Sequence, residues 1–126
     1  MATQSISPDS VLVITLYDRI IGFLNEASSA TGRGDTTARR EAISQALDIV
    51  FDLRTRLHID VEKQAARVLS EFYAVIFVHI LLASEAASQE KFGRVIEYLG
   101  KMREALCHEP SHRETIFETT VQELHS

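Results

Sequence analysis

The chain has 126 residues, a formal net charge of -5, 45% hydrophobic residues, one cysteine, five glycines, two prolines and no tryptophan. That length makes one domain, residues 1–126, large enough to bury a core without staples, and the single Cys107 excludes an internal disulfide. An acidic balance with scattered Lys and Arg argues against nucleic acid or an anionic membrane as the main partner, and the scarcity of Gly and Pro favours an all-helical protein.

Residues 1–6 read as a short, flexible polar tail. Ser7 and Pro8 have the order of an N-cap and a first helical position, where a missing amide proton costs nothing, and Asp9 suits the positive end of a helix. No charged-then-apolar leader precedes this segment, so the cytoplasm is the expected compartment. The first helix is predicted to run to about Thr31. Its stripe Leu12, Leu16, Ile20, Phe23, Leu24 and Ala27 is joined by a second row, Val13, Tyr17 and Ile21, giving more apolar surface than one core contact requires.

Gly32-Arg33-Gly34-Asp35 then closes this helix and opens the next: a glycine can take the left-handed C-terminal position and Asp35 can accept bonds from the free amides that follow. Arg33-Gly34-Asp35 also spells an integrin-binding triplet, but helix punctuation accounts for each of the three residues. Helix two, about Asp35 to His58, sends Ala42, Ile43, Ala46, Ile49, Val50, Leu53 and Leu57 toward the core. Arg39, Arg40, Glu41, Asp48, Asp52, Arg54 and Arg56 face water.

Asp60 can cap helix three, which contains the most apolar stretch of the chain, Phe72 to Ala83. At about 1.5 Å per residue that stretch covers less than two thirds of a bilayer core, so a buried helix of a soluble protein is expected and no membrane insertion. Apolar residues spill beyond one helical face through Phe77, Val78, Leu81 and Leu82, and such a helix is either enclosed by neighbours or awaits a partner. Ala87-Ser88-Gln89 is the next break, with Ser88 as cap. In helix four Phe92, Val95, Leu99, Met102 and Leu106 alternate steps of three and four, the seam of a bundle helix.

Four long helices with short connections predict an all-α fold, an antiparallel up-down four-helix bundle. Residues 108–126 form a tail or a short fifth helix, in which Pro110 stops helix four, Ser111 and Glu114 make a capping box, and Phe117, Val121 and Leu124 share one side.

Catalysis has little foothold. His108-Glu109-Pro110-Ser111-His112 fits the bare zinc-protease pattern, but Pro110 would disrupt the helical turn that must align the two imidazoles. His79 reads as a core or boundary histidine. No phosphate loop, nucleophile set or facing carboxylate pair is present, so no metal, cofactor or enzymatic activity is expected.

Leu16-Tyr17-Asp18, Phe23-Leu24, Gly34-Asp35, the run Ala46, Asp48, Ile49, Val50, Leu53 and Leu57, then Phe72-Tyr73, Ala83 and Met102-Arg103-Glu104-Ala105-Leu106 together resemble the FliS family. From Tyr17 to Ser84 the family pattern lies along the chain without a gap. The departures are Arg19 for a Gly, Glu62-Lys63 for a Gly-Gly pair and Leu106 for a Trp. On helix three, Val78, His79 and Leu82 stand for an Arg-Arg pair and a Glu.

The resemblance implies an export chaperone for flagellin in the bacterial cytoplasm. Such a chaperone holds the disordered C-terminal segment of flagellin as it folds around the bundle, prevents premature polymerisation, and presents the complex to FlhA, the export gate protein of the flagellar type III apparatus. Surplus apolar surface on a helical scaffold suits that task. The expected groove residues are Tyr17, Ile49, Leu53, Val78 and Leu82, at the bundle surface. The alternative is a diverged bundle that binds another partner, or pairs with itself in a homodimer through Val78 and Leu82.

Overall fold

In a computed structural model, residues 8–57, 64–107 and 110–125 are described, with side chains from Val11 in the first segment, Ala66 in the second and Glu118 in the third. They form five helices: α1 (Pro8–Arg33), α2 (Thr36–Thr55), α3 (Gln64–Ala86), α4 (Gln89–Ala105) and α5 (Pro110–His125), with no strand among them. The expected cap at Asp60, the pair Glu62-Lys63 and the residues His108 and Glu109 lie outside the described residues. Helix α1 extends two residues past the predicted Thr31, and α2 stops three short of His58.

The two short connections are built alike. At the end of α1 Gly34 adopts φ 73°, its amide donates to the Thr31 carbonyl (3.1 Å), and the Asp35 amide donates to that of Ala30 (2.9 Å). This is the reciprocal pair of bonds that satisfies the last carbonyls of a helix. The Asp35 carboxylate then accepts the Ala38 amide at 3.0 Å and caps α2. At the end of α3, Ala87 (φ 49°) and Ser88 repeat the pattern with bonds to Ser84 and Ala83. Ser88 Oγ accepts the Lys91 amide at 3.1 Å and caps α4. The caps expected at Asp35 and Ser88 are thus formed, although Ala87 occupies a left-handed position that costs a residue with a Cβ about 1–2 kcal/mol; the cap expected at Ser7 lies outside the described residues.

Two-residue turns make α1–α2 and α3–α4 antiparallel neighbours. Gln89 Nε2 donates to the Ser28 carbonyl (2.9 Å), so α4 begins beside the end of α1. A Cβ at Gly32 would lie 3.0 Å from that same Nε2, so a larger residue there would make the Gln89 amide give by a few tenths of an ångström. The Arg103 guanidinium donates to both Asp18 oxygens (2.6 and 3.2 Å), which sets the end of α4 against the first half of α1. Arg54 Nε donates to Ser70 Oγ (3.2 Å) and joins the end of α2 to the start of α3. The result is the expected antiparallel bundle, in which α1 packs on α2 and α4, and α3 on α2 and α4.

The core runs through all helices: Leu16, Tyr17, Ile20 and Leu24 from α1, Ile43, Val50 and Leu53 from α2, Phe72, Ile76 and Ile80 from α3, and Phe92, Leu99 and Met102 from α4. Helix α3 meets α4 more sparsely than α1 meets α2, and α5 docks into the resulting groove with Val121 and Leu124 in the core. The expected capping box at Ser111 is not the start of α5, because the helix already begins at Pro110, a favoured first helical position.

Candidate functional site

The sequence motifs that resemble FliS meet one another in space. Tyr17 and Tyr73 are both buried, and the Tyr17 hydroxyl donates to that of Tyr73 at 2.9 Å, with ring centroids 6.1 Å apart at 64°. Removal from water disfavours either phenolate, so burial raises both phenol pKa values well above their ordinary value. Asp18, next to Tyr17, holds Arg103 of the helix-four motif through the bidentate pair described above. These residues hold α1, α3 and α4 in register.

That placement corrects part of the expected groove. Tyr17 is 0%, Leu53 2% and Ile49 8% exposed, so all three belong to the core and not to the surface assigned to them. Periodicity could not separate the cases: a helix stripe facing the interior and one lining a groove have the same spacing. Val78 and Leu82, by contrast, are 51% and 53% exposed.

Successive residues of a helix turn by about 100°. Ile76, Ile80 and Ala83 therefore point inward, while Val78 crests the opposite side of α3, with Leu81 toward α2 and Leu82 toward α4. Leu81 is exposed as well, and Phe51 of α2 is the most exposed large apolar side chain described, at 66%. Phe51 was missed in the sequence because it lies off the α2 stripe among charged neighbours; an aromatic on a polar face was the available signal.

Two grooves flank this ridge. Between α2 and α3 an open groove of about 760 Å³ is lined by Phe51, Leu57, Ala66 and Ala74, with Arg54, Arg67 and Glu71 at its margins. A separate pocket of about 350 Å³ lies further along the same two helices, among Leu47, Leu81, Arg40 and Glu85. The Arg39 side chain reaches this end, where its buried Nε has no partner among the described residues and could donate to an incoming carbonyl or carboxylate. On the other side of α3, a cleft of about 330 Å³ lies between His79, Leu82, Lys91, Arg94 and Tyr98 and the last turn of α5.

The arrangement offers apolar grooves with charged rims, which suits an amphipathic segment. Among the described residues no three His, Cys, Asp or Glu side chains cluster closely enough to hold a metal ion.

Against known proteins, a family model described as flagellar protein FliS matches residues 1–107. The chain belongs to the FliS family. No curated protein matches it as a relative. FliS is a chaperone family of flagellar export, not an enzymatic one, and that general role follows from membership.

The resemblance found in the scattered motifs is thereby established over α1 to α4, and α5 lies beyond the matched residues. One further feature needs correction within the FliS frame. Residues 66–86 of α3 are long and apolar enough to cross a membrane, so the brevity of the apolar stretch does not by itself exclude a span. The packing of α3 is that of a bundle helix: Phe72, Tyr73, Ile76, Ile80 and Ala83 are buried against the other helices, and Arg67, Glu71 and Glu85 are exposed along it.

Proposed function

We propose that this FliS-family chain is a cytoplasmic, non-enzymatic chaperone that binds the disordered C-terminal segment of flagellin. The segment would lie across α3, in the groove beside Phe51, over the Val78 ridge and into the cleft beside Leu82. In this reading Tyr17, Ile49 and Leu53 act from beneath, by fixing the helices that form the grooves, and only Val78 and Leu82 of the expected set touch the client. Delivery to the export gate protein FlhA belongs to the same reading. The observation that carries it is a contiguous apolar ridge left uncovered on a well-packed FliS-type scaffold, since exposed apolar surface of this kind marks interaction sites.

Magnitudes bear on how such a client is held. Burying the exposed half of Phe51, Val78, Leu81 and Leu82 yields about 1 kcal/mol each, roughly 4 kcal/mol together. Ordering a disordered segment costs roughly 2–5 kcal/mol. The ridge alone therefore about offsets the ordering cost, and useful affinity requires further apolar area.

Calorimetric titration with the isolated flagellin C-terminal segment tests the reading. Binding with a negative heat-capacity change and a gain of helical circular dichroism is expected. A chain that ignores the segment and elutes as a dimer would favour self-association through Val78 and Leu82 instead.

A further inference from the structure

Helix α5 is the one helix of the structure outside the family match, which ends at residue 107. Its described side chains, Glu118 to His125, show how it is seated. Val121 and Leu124 enter the core and Thr120 is buried, while Glu118, Thr119, Gln122, Glu123 and His125 remain exposed. Two surface contacts assist: the ion pair of Lys101 Nζ with Glu123 Oε1 at 3.0 Å and a hydrogen bond between His125 Nε2 and Glu71 Oε2 at 2.7 Å, all four side chains about half exposed.

The groove is also longer than its occupant. Beyond Leu124 and His125 it continues as the cleft of His79, Leu82, Lys91, Arg94 and Tyr98. The α3–α4 groove thus accepts an amphipathic helix with apolar residues three apart and a carboxylate opposite Lys101, and it has room for more of one.

We propose that the α3–α4 groove is a helix-docking site which α5 fills within the same chain, and that a helix of the flagellin C-terminal segment takes this groove by displacing α5. The proposal rests on the flagellin reading above and names its regulation. It supplies the missing apolar area, because displacement makes the α5 footprint continuous with the cleft and with Leu82. A tethered helix competes at an effective concentration far above that of a free one, so a weak contact suffices to cover the groove in the client-free protein. Client affinity is then reduced by the fraction of molecules in which the groove is closed.

Three full-length proteins test this: the natural chain, an undocked form (Val121→Asp with Leu124→Asp), and a locked form. In the last, Lys101→Cys and Glu123→Cys are joined by a short bismaleimide, with the exposed Cys107→Ser removing the competing thiol. The first probe is a fluorescent peptide of residues 108–126. It should bind the undocked protein at least about tenfold more tightly than the natural one and should not bind the locked one. The second probe, the flagellin C-terminal segment, should displace that peptide, bind the undocked form about fivefold more tightly and the locked form at least about tenfold more weakly. The same cysteine variant without cross-linker also lacks the Lys101–Glu123 pair and is the reference for the locked form; it should bind both probes at least about tenfold more tightly than the locked form does.

A peptide that fails to bind the undocked protein, or a flagellin segment that binds the locked form as tightly as the natural one, would overturn the proposal. So would a ternary complex with both probes seated. If flagellin binds none of the three while the 108–126 peptide still binds the undocked form, the client reading fails and the docking groove stands. The locked form keeps the test informative even if the aspartate substitutions unfold the chain, since cross-linking holds α5 in its native place.

Discussion

Helices α1 and α3 carry the same excess in the sequence, apolar residues on more than one face, and the bundle treats them differently. In α1 the second row is absorbed: Tyr17 is fully buried and Val13 and Ile21 are half-covered, as is Phe23 of the first stripe, leaving Val11 and Leu12 of its first turns exposed. In α3 the excess remains outside at mid-helix, at Val78, Leu81 and Leu82. The two helices share their innermost contact, the Tyr17–Tyr73 pair, so the difference lies in their cover and not in their depth. Helix α1 lies closely along α2, whereas α3 and α4 are separated enough to admit α5 on one side and leave a groove toward α2 on the other. An apolar surplus becomes a binding surface only where neighbouring helices leave it uncovered.

The sharpest break of this comparison is on the inner face of α3. Ile76 is fully buried at the centre of the core. Ile76→Asp places an unpaired carboxylate there, a cost of several kcal/mol that is a large share of ordinary domain stability. Loss of cooperative thermal unfolding by circular dichroism is the expected result; a folded Ile76→Asp protein would mean that α3 presents a different face inward.

Next in size is the tyrosine pair that links the two helices. Tyr73→Phe or Tyr17→Phe leaves the other hydroxyl buried without its partner and should cost about 1–3 kcal/mol in denaturant unfolding, while the double change to Phe should cost less than the sum of the two. The pair also sets an alkaline limit. Both phenol pKa values are raised in the folded state, so their contribution is intact below the unfolded value of about 10 and is lost as pH rises toward the folded values. Stability should fall above about pH 10 in the natural chain and less steeply in the double Phe variant, with phenolate absorbance from this pair appearing together with loss of helix.

The fold was legible because its signals are local. Asp35 and Ser88 are caps with hydroxyl or carboxylate oxygens next to a break, and the steps of three and four in α4 can point only one way once the helix packs. Which apolar side chains stay exposed was only half legible. Ile49 and Leu53 share spacing with groove residues, and nothing along a single helix states how far away the next helix lies. Val78 and Leu82 were legible for a different reason: they add a second apolar face opposite one already complete at Phe72, Ile76 and Ile80, and two faces of one helix cannot both point inward in a four-helix layer. Phe51 carries the same logic on α2 with a single residue, which is why it escaped.

The smallest effect on stability should come from the outer face of α3, and it is the most informative for function. Val78→Arg with Leu82→Glu replaces two half-exposed side chains that crest the ridge, and it brings back the charge types that the family resemblance expects there. Both new side chains can reach water, so the melting transition should move by no more than surface substitutions usually cause, within about 0.5 kcal/mol. Capture of the flagellin C-terminal segment in a calorimetric titration should weaken by more than about 1 kcal/mol, because each residue would otherwise bury its exposed half against the client. A core role would produce the reverse pattern, a large loss of stability with binding unchanged per folded molecule. If capture is untouched and a dimer becomes a monomer on a sizing column, the ridge serves self-association, and the contrast between α1 and α3 reflects a partner of the same kind and not a flagellin client.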